Sequence, residues 1–510
     1  MSKFNTSTKG SDITVNRSGN KAYAMDEHSH LLTAVLTTFV GEEKYYGSTD
    51  SEIRTLAESL CGTDPEFVAK LAVFARKEFN LRSVSHVLAS IIADKAPQYT
   101  SSVLDNIILR ADDILEIMAC YHQMHLETAK RTKTKGSHTY AVTPYPNSLK
   151  RGIARNIQKF DEYSLAKYNR DSKSFSFSDV IRITHPRPKD EATSVLLKKV
   201  LSDSLETPYT WETELSAKGN TKKVWNELIK SGKVGYMALL RNLRNILKCG
   251  ADSEPVLGFL SSPEQVRKSR QLPFRYVSAY RELDSEGLMD DRVFKCLELA
   301  LRISIENMER IQGRTLIAID ESGSMSNSLS SHSKVKCFDI ANLLGVLASS
   351  ICEECVVMYF DCSDEWGYMD TDKDISQGGW RIATPSKSES ILHRISHDRP
   401  RGGGTDMTLP MKYALSEKTV KPFDRVIIFS DNETNTYPES TIQPYANRYR
   451  RDINPNLWVH AVDLEGYGTQ QFIGDKTSIL AGWSEKVLTF ISLVERDKGS
   501  LIEHIRNIQL

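Results

Sequence analysis

The chain has 510 residues, and its 66 basic and 66 acidic side chains give a formal net charge of zero at neutral pH. Hydrophobic residues make up 40% of the chain, a globular composition that excludes disordered and fibrous proteins. No window approaches the roughly 18 uninterrupted apolar residues of a membrane span, and the polar N-terminus lacks a signal core. We therefore expect a soluble cytoplasmic protein without a membrane partner.

Helical patterns fill the first 310 residues. Apolar spacing predicts helices over 29–41, 50–60, 65–79, 83–96, 101–119, 192–204, 221–230, 235–248 and 291–308. Asp64, Pro65 and Glu66 supply a capping carboxylate, a first-turn proline and an early acid for one of them. No run of alternating strands is present in this half. The pattern predicts an α-solenoid of stacked helix pairs over residues 20–310, although no strict repeat period can be read.

From about residue 313 the pattern changes to short β-rich runs separated by helical segments. The runs are 314–320, 356–362, 424–431 and 457–464, and a helical pattern covers 335–351. Strands alternating with helices predict a parallel, doubly wound sheet over residues 313–510. Cys352 and Cys355 form a C-x-x-C where the helical pattern meets a strand, which favours a structural role.

Hydroxyl and carboxylate residues follow the predicted strands, where such sheets bind ligands. The first strand ends in a D-x-S-x-S motif, a G-G-G-T-D loop lies further along, and the third strand ends in Ser-Asp. Two carboxylates and three hydroxyls form an oxygen-only set that suits Mg²⁺ and disfavours zinc or copper. The predicted metal ligands are Asp320, Ser322, Ser324, Thr405 and Asp431.

These motifs resemble the metal-ion-dependent adhesion site (MIDAS) of von Willebrand factor A domains. The resemblance implies that both serines and the threonine contact the cation, that the aspartates act directly or through water, and that a partner's carboxylate can complete the coordination. Taken alone, D-x-S-x-S is also a helix cap. A hydrolase is a competing interpretation, but Ser322 is not in G-x-S-x-G and no histidine lies in the motif. We expect no enzymatic activity.

Basic residues are concentrated in the helical half. Residues 121–280 carry a net charge of +13, and residues 311–510 carry −6. Aromatic residues are interleaved with the lysines and arginines of 130–189, and Arg241, Arg244 and Lys248 share one helix face. Cations and aromatic rings together favour phosphate neutralisation and base stacking over an ordinary solvated surface. We therefore expect RNA binding.

Segments 175–188, 233–247 and 272–283 resemble the TROVE module of the Ro ribonucleoprotein family. TROVE followed by a von Willebrand A domain is that family's arrangement, so the resemblance covers nearly the whole chain. It implies an α plus α/β protein in which HEAT-like helical repeats close into a ring completed by the A domain. It also implies that small Y RNAs bind the outer basic surface and that single-stranded 3′ ends of misfolded RNAs enter the central hole. A Y RNA can tether bacterial members to a 3′-exoribonuclease, and a ring closed within one chain favours a monomer.

The resemblance also assigns RNA-binding residues. Lys167 and Arg170 match a basic K-Y motif, and His185 matches a family histidine, although Thr184 departs from the usual preceding residue. Arg187 and Lys189 are suited to phosphate contacts. Arg241 and Arg244 suit either the lining of the central hole or an RNA-binding groove. The sequence does not show whether they lie inside or outside the ring. The complete predicted set is Lys167, Arg170, Arg182, His185, Arg187, Lys189, Arg241 and Arg244.

The alternative function is a protein-interaction scaffold that uses the adhesion-type site to bind an acidic partner. Substitution of Asp320 and Ser322 separates the two functions, because the scaffold loses its partner whereas RNA binding is retained. A metal-dependent phosphodiesterase is a third possibility, and it requires RNA cleavage in Mg²⁺ that stops in EDTA.

Overall fold

The computed structural model describes residues 13–37, 43–44, 47–125, 132–135, 138–141, 144–168, 175–306, 308–328, 335–362, 379–383, 389–397, 400–416, 421–435, 442–483, 486–497 and 501–510. The chain forms two compact units. Unit 1 comprises residues 1–33, 43–47 and 210–501, and unit 2 comprises residues 34–42, 48–209 and 502–510. No helix within the described ranges is long and apolar enough to cross a membrane.

The elements up to residue 209 are mostly helices. In chain order they are β1 (Ile13–Val15), β2 (Lys21–Ala24), α1 (Glu27–Leu36), β3 (Glu43–Lys44), β4 (Gly47–Ser48), α2 (Thr49–Thr63), α3 (Pro65–Lys77), α4 (Arg82–Lys95), α5 (Thr100–Ile107), α6 (Ala111–Met124), β5 (Thr132–Lys135), β6 (His138–Ala141), α7 (Asn147–Asn156), a 3₁₀ turn (Ile157–Lys159), α8 (Glu162–Tyr168), α9 (Phe177–Thr184) and α10 (Glu191–Leu201). The predicted helical character of this part of the chain is confirmed.

The remaining helices and strands follow from residue 210. They are α11 (Trp211–Lys218), α12 (Lys222–Lys230), α13 (Tyr236–Lys248), α14 (Glu254–Leu260), α15 (Pro263–Ser269), α16 (Pro273–Ser285), α17 (Asp291–Glu306), β7 (Ile311–Asp320), a 3₁₀ turn (Gly323–Ser326), α18 (Cys337–Ile351), β8 (Cys352–Phe360), β9 (Trp380–Ala383), α19 (Ile391–His397), α20 (Leu409–Ser416), β10 (Arg425–Ser430), α21 (Gln443–Asp452), β11 (Trp458–Asp463), β12 (Thr469–Gln470), β13 (Thr477–Ala481), α22 (Lys486–Asp497) and α23 (Leu501–Arg506).

The helices of unit 2 pack on their sequence neighbours. Helix α3 packs against α4 and α5, α4 against α6, and α5 against α7. The buried residues of α3 extend over nearly three turns, from Phe67 to Arg76. The predicted start of α3 is confirmed, because Asp64 accepts a hydrogen bond from the Phe67 amide (3.2 Å) and Pro65 is the first helical residue.

A six-stranded sheet forms the core of unit 1. Its order is β13-β11-β10-β7-β8-β9, and every pair is parallel except β8 with β9. Helix α18 packs against β7, β8 and β10, and α22 packs against β11 and β13. Strand β10 is buried along its whole length, as expected for a sheet covered on both faces. The predicted α plus α/β fold is confirmed, and β9 and β13 extend the sheet beyond the four predicted strands.

The sequence pattern shows no run of alternating strands in the first half, and the structure adds short strands there that the pattern did not reveal. β1 and β2 form an antiparallel hairpin, and β2 pairs with β12 to complete a three-stranded sheet within unit 1. Each strand has only three or four residues, so neither carries a readable alternation. The partner that fixes the hairpin lies more than 400 residues away in the sequence.

Candidate cation site and basic surface

The predicted metal ligands are brought together at the carboxyl ends of β7 and β10. Asp320 is the last residue of β7, and Asp431 directly follows β10. These strands are neighbours in the sheet, so their ends lie side by side. Ser322 and Ser324 begin the 3₁₀ turn that leaves β7, and their hydroxyl oxygens are 3.3 Å apart.

The glycine-rich loop that carries Thr405 is hydrogen-bonded to the same turn. The Gly323 amide donates to the Gly403 carbonyl (2.9 Å), and the Gly402 amide donates to the Glu321 carbonyl (3.0 Å). Gly402 and Gly403 have φ values of +87° and +89°, a region that favours glycine. Thr405 is then held in place by its amide, which donates to the Asn435 side-chain oxygen (2.5 Å).

Asp320 is fixed by short hydrogen bonds. One carboxylate oxygen accepts from the Ser322 amide (2.9 Å), and the other accepts from the Ser430 hydroxyl (2.7 Å). The side chain is fully buried. This geometry orients the carboxylate but supplies no positive charge.

A cavity of about 350 Å³ lies beside these residues. Asp431 lines it and is 1% exposed, and its Oδ2 atom has no hydrogen-bond partner among the described residues. A buried carboxylate oxygen without a partner is costly unless a ligand or ion satisfies it. The lining residues are Ser18, Gly323, Ser324, Asn327, Gly403, Thr405, Asp431, Glu433, Thr434 and Asn435.

The positive charge of the described side chains near the cavity does not balance the negative charge of its carboxylates. Burial, reinforced by the nearby Asp431 carboxylate, raises the pKa of Asp320, and burial also raises the pKa of Asp431. Burial and the charge of Asp431 raise the pKa of Glu433 to about 7. These shifts have the direction expected where like charges meet in a desolvated site without a counter-ion.

Two acidic residues at this edge were not identified from the sequence. Glu433 lines the cavity two residues after Asp431. Glu321, the middle residue of D-x-S-x-S, is fully buried but paired with Arg381 (3.1 Å) and Arg401 (3.6 Å). The arginines lie far from the motif in sequence, so no local signal distinguishes the compensated Glu321 from the uncompensated Asp431.

The donor set fits a hard divalent cation. Within the described ranges, no three His, Cys, Asp or Glu side chains are placed together to hold a metal ion. The set here instead combines two buried carboxylates with three hydroxyls, which suits an ion that keeps part of its water shell. The Oδ2 atom of Asp431, which has no hydrogen-bond partner among the described residues, is the atom whose missing contact a bound cation would supply.

The basic residues predicted to bind RNA fall in both units. In unit 2, His185 ends α9 in the left-handed conformation, with φ of 47°, and its side chain is exposed. Arg187 and Lys189 follow on an exposed loop. Among the described residues, no carboxylate forms an ion pair with Arg187, whereas Lys189 lies near Asp190, whose pKa is lowered by hydrogen bonds from Thr193 and, to a smaller extent, by the charge of Lys189.

Gln158 fixes this loop. Its side-chain amide donates to the Arg187 carbonyl (3.1 Å), and its side-chain oxygen accepts from the Lys189 amide (3.0 Å). The Lys189 ammonium group also donates to the Gln158 carbonyl (3.3 Å). No sequence pattern indicates this role, because Gln158 is neither charged nor adjacent to the loop. We call residues 185–189 with Gln158 the basic loop.

Lys167 and Arg182 lie near other charged groups of unit 2. Lys167 is half-buried in α8, with its ammonium group 5.6 Å from the centre of the Tyr168 ring, and Arg110 lies over the same ring at 4.8 Å. Arg182 is exposed on α9 and lies 3.8 Å from Asp179. Arg170 lies outside the described residues.

Arg241 and Arg244 belong to α13 in unit 1 and differ in their surroundings. Arg241 is exposed. Arg244 pairs with Glu282 and Glu286, and Lys248 pairs with Glu286 at 2.7 Å. The shared partner confirms that Arg244 and Lys248 lie on one helix face, but carboxylates already balance the charge of Arg244.

Comparison with known proteins places these features in a family. The TROVE domain family matches residues 13–203 and 202–321, and the Ro60 vWA domain family matches residues 314–466. A crystal structure of the Deinococcus radiodurans RO (RSR) protein shares the fold, with a TM-score of 0.62 and 17% identity. That likeness covers 92% of this chain and 100% of the other. The fold and domain order thus define a TROVE protein with a von Willebrand A domain.

The chain belongs to the Ro family of RNA-binding proteins. The RNA-binding protein RO60 of D. radiodurans is 23% identical over 352 residues, covering 59% of this chain and 63% of the relative. Telomerase protein component 1 of Rattus norvegicus is 24% identical over 336 residues, covering 50% of this chain and 12% of the relative. The chain therefore spans less than two thirds of the length of these relatives.

Proposed function

We propose that this protein binds small structured non-coding RNA of the Y RNA type on its basic surface. We further propose that it takes single-stranded 3′ ends of misfolded RNA through a central hole, in RNA quality control or stability. A 3′-exoribonuclease tethered through the bound RNA is the accompanying partner. In this mechanism, cationic side chains capture the RNA backbone and an unpaired end is then threaded.

The basic loop is the observation that carries the proposal. His185, Arg187 and Lys189 are exposed on one short segment whose backbone is fixed by Gln158. Guanidinium and ammonium groups without carboxylate partners are available to phosphate oxygens. A fixed backbone reduces the entropy lost when these groups bind.

We propose that the protein acts without catalysis. A serine nucleophile is usually activated by an adjacent base such as histidine; the described contacts of the Ser322 side chain lead to Ser324 and to the Asp320 carboxylate, which we propose is a cation ligand, and not to a histidine. The cation site, which we propose holds Mg²⁺, supplies an electrophilic centre for an oxygen ligand. Asp320 and Asp431 would hold the cation together with Ser322, Ser324 and Thr405.

The test is a gel-shift titration at several salt concentrations with a structured RNA that carries or lacks a single-stranded 3′ tail. We expect salt-sensitive binding that the tail strengthens at least about tenfold, since each base stacked on an aromatic ring contributes about 1–3 kcal/mol. Absence of binding at moderate salt would contradict the proposal. Incubating the same RNAs with protein in Mg²⁺ and in EDTA tests catalysis, and we expect intact RNA in both.

The scaffold is the second candidate function, favoured by the cavity beside Asp431 and its unsatisfied oxygen. A protein partner would place an acidic side chain in that cavity. Asp320→Ala combined with Ser322→Ala separates the two functions. The RNA proposal predicts nearly unchanged RNA affinity for this double variant, whereas the scaffold predicts loss of a protein partner.

A further inference from the structure

The N-terminal hairpin forms part of the wall of the cation cavity. The hairpin is the outer part of the β1-β2-β12 sheet. Its connecting turn, residues 16–20, reaches the carboxyl ends of the central strands, where Ser18 lines the cavity together with Ser324, Thr405 and Asp431. A segment near the start of the chain therefore borders the candidate ligands.

Two hydrogen bonds attach the turn to the segment that follows Asp431. The Ser18 amide donates to Oε2 of Glu433 (3.3 Å). The Asn16 side-chain amide donates to the Thr434 carbonyl (2.7 Å). Both acceptors lie within three residues of Asp431, so the ligand segment and the hairpin are directly connected.

Asn16 also builds the turn itself. Its side-chain oxygen accepts from the Asn20 amide (2.8 Å), and its carbonyl accepts from the Gly19 amide (3.0 Å). Gly19 adopts a φ of +84°, which a residue with a side chain rarely adopts. Asn16 is 4% exposed although it lies in a surface turn. The buried side chain of Asn16 thus shapes the turn and also attaches it to the segment that follows Asp431.

Glu433 connects the hairpin sheet to the same segment. Its Oε1 accepts from the Thr469 hydroxyl (3.1 Å), and the Asn432 side chain donates to the Thr469 carbonyl (2.7 Å). Thr469 lies in β12, which pairs with β2. Both oxygens of a cavity carboxylate therefore hold the hairpin, one through the turn and one through the supporting strand.

We propose that the hairpin is a built-in cover of the cation site, and that the docked hairpin and a divalent cation stabilise each other. The inference rests on the cation site proposed above. The negative charge of Asp431 acts on both Asp320 and Glu433, and this like-charge interaction between buried carboxylates disfavours the arrangement that holds the turn. A cation held by the predicted ligands would offset this repulsion. The docked turn in return excludes water from one side of the cation.

The coupling gives the hairpin a regulatory role. When the turn leaves, the Glu433 side of the cavity is uncovered, so access of an external acidic group to the cation depends on hairpin docking. Linkage also requires reciprocity: if the cation favours the docked turn, weakening the turn must weaken cation affinity by the same factor.

The first experiment measures amide hydrogen exchange of the full-length protein in Mg²⁺ and in EDTA. We expect Mg²⁺ to slow exchange of the Ser18 and Asn20 amides by about fivefold or more, the lower range of typical couplings between sites. The amides of α3 serve as an internal reference, because this helix belongs to unit 2 and contains none of the predicted ligands. Equal exchange of the turn in both conditions would overturn the proposal.

The second experiment measures Mg²⁺ affinity by calorimetry in Asn16→Ala. We expect a loss of about fivefold or more, although Asn16 is not a predicted ligand. Asn454→Ala is the matched control, because Asn454 also donates to a carbonyl, that of Phe423 (2.9 Å), but at the amino ends of the strands. We expect wild-type affinity in the control.

The outcomes separate this inference from the proposed functions. Mg²⁺ binding with unchanged affinity in Asn16→Ala would overturn the cover but leave the cation site in place. Absence of Mg²⁺ binding to the wild-type protein would overturn both the cation site and the cover. RNA binding is measured independently in the gel-shift titration, and neither result affects it.

Discussion

Buried carboxylates at the two ends of the central sheet have opposite electrostatic surroundings. At the amino end, Glu495 accepts two hydrogen bonds from Arg425 (2.7 and 2.8 Å) and contacts His460 (2.8 Å). Hydrogen bonds with His460 and Arg425 lower the pKa of Glu495 to about 2 although the side chain is largely buried. At the carboxyl end, no comparable cation of the described residues pairs with Asp431, and burial raises its pKa. A neighbouring positive charge, not depth of burial, decides the direction of the shift.

Glu495 should make the protein sensitive to acid. Its folded-state pKa lies below its ordinary value of 4.5, so its contribution to stability is complete above about pH 4.5 and disappears as the pH falls towards 2. The shift corresponds to about 3 kcal/mol. Urea unfolding at pH 7 and pH 3, followed by tryptophan fluorescence, should show this loss in wild type and a smaller loss in Glu495→Gln.

The control for Glu495 is Glu306→Gln, since Glu306 forms an exposed ion pair with Arg267 (3.0 Å). Exposed pairs contribute little, so this variant should keep the wild-type pH dependence. An identical pH dependence of Glu495→Gln and wild type would contradict the assignment.

A second buried carboxylate should matter more for stability. Asp113 is fully buried and pairs with Arg76 (3.1 Å) and Arg82 (2.7 Å). Asp113→Ala leaves the buried Arg76 without its carboxylate, which should reduce the free energy of unfolding by about 3–5 kcal/mol. Glu306→Ala, which removes an exposed partner of Arg267, should cost less than about 1 kcal/mol. Thermal denaturation of both variants tests this prediction. Equal decreases in melting temperature would contradict it.

At the scale of elements, the sequence predicts what local patterns encode. The start of α3 follows from Asp64 and Pro65, and α10, α12 and α13 begin and end within about three residues of the predicted bounds. The 101–119 pattern, predicted as one helix, forms α5 and α6. The break occurs because Asp113 accepts hydrogen bonds from the Leu109 and Arg110 amides (3.0 and 2.9 Å). Periodicity alone cannot show that competing contact.

The candidate cation site also has one part that can be predicted from local sequence patterns and one part that cannot. Asp320 and Asp431 end strands whose adjacency follows from the parallel sheet, so their meeting is predictable. Glu433 and the hairpin are not predictable, because Ser18 and its acceptor are 415 residues apart in the sequence. Local patterns reveal the ligands, and only tertiary structure reveals what surrounds them.

A long-range cap should likewise decide the stability of one helix. Glu298 in α17 accepts hydrogen bonds from the Ser390 hydroxyl (3.0 Å) and from the Ile391 and Leu392 amides (both 3.1 Å). It therefore accepts hydrogen bonds from two of the amides that start α19, which have no acceptor within the helix. Glu298→Ala should lower the free energy of unfolding by about 2 kcal/mol. Denaturant titration tests this, with Glu306→Ala as the exposed control. If Glu298→Ala lowers the free energy of unfolding no more than the control does, water must satisfy these amides as well as Glu298 does.

At the scale of the whole molecule, zero net charge coexists with strongly uneven charge. Residues 121–280 carry +13, yet the structure shows that not every cation in this stretch is available. Arg155 and Lys159 pair with Asp105, and Arg244 pairs with Glu282. Counting basic residues in the sequence therefore overestimates the positive charge that is available to contact RNA. In the basic loop, no carboxylate of the described residues pairs with Arg187, and Lys189 is offset only by the nearby Asp190.

Salt dependence should reveal which cations contact RNA. Each neutralised phosphate adds about 0.7–0.9 to the slope of log affinity against log salt concentration. Arg187→Ala combined with Lys189→Ala should therefore lower the slope by about 1.5, measured by fluorescence anisotropy with a structured RNA between about 50 and 200 mM salt. Arg244→Ala is the matched control, and its slope should equal that of wild type because Glu282 and Glu286 already balance Arg244. The reverse order, with Arg244→Ala lowering the slope and the loop variant leaving it unchanged, would move the RNA interface from the basic loop to α13.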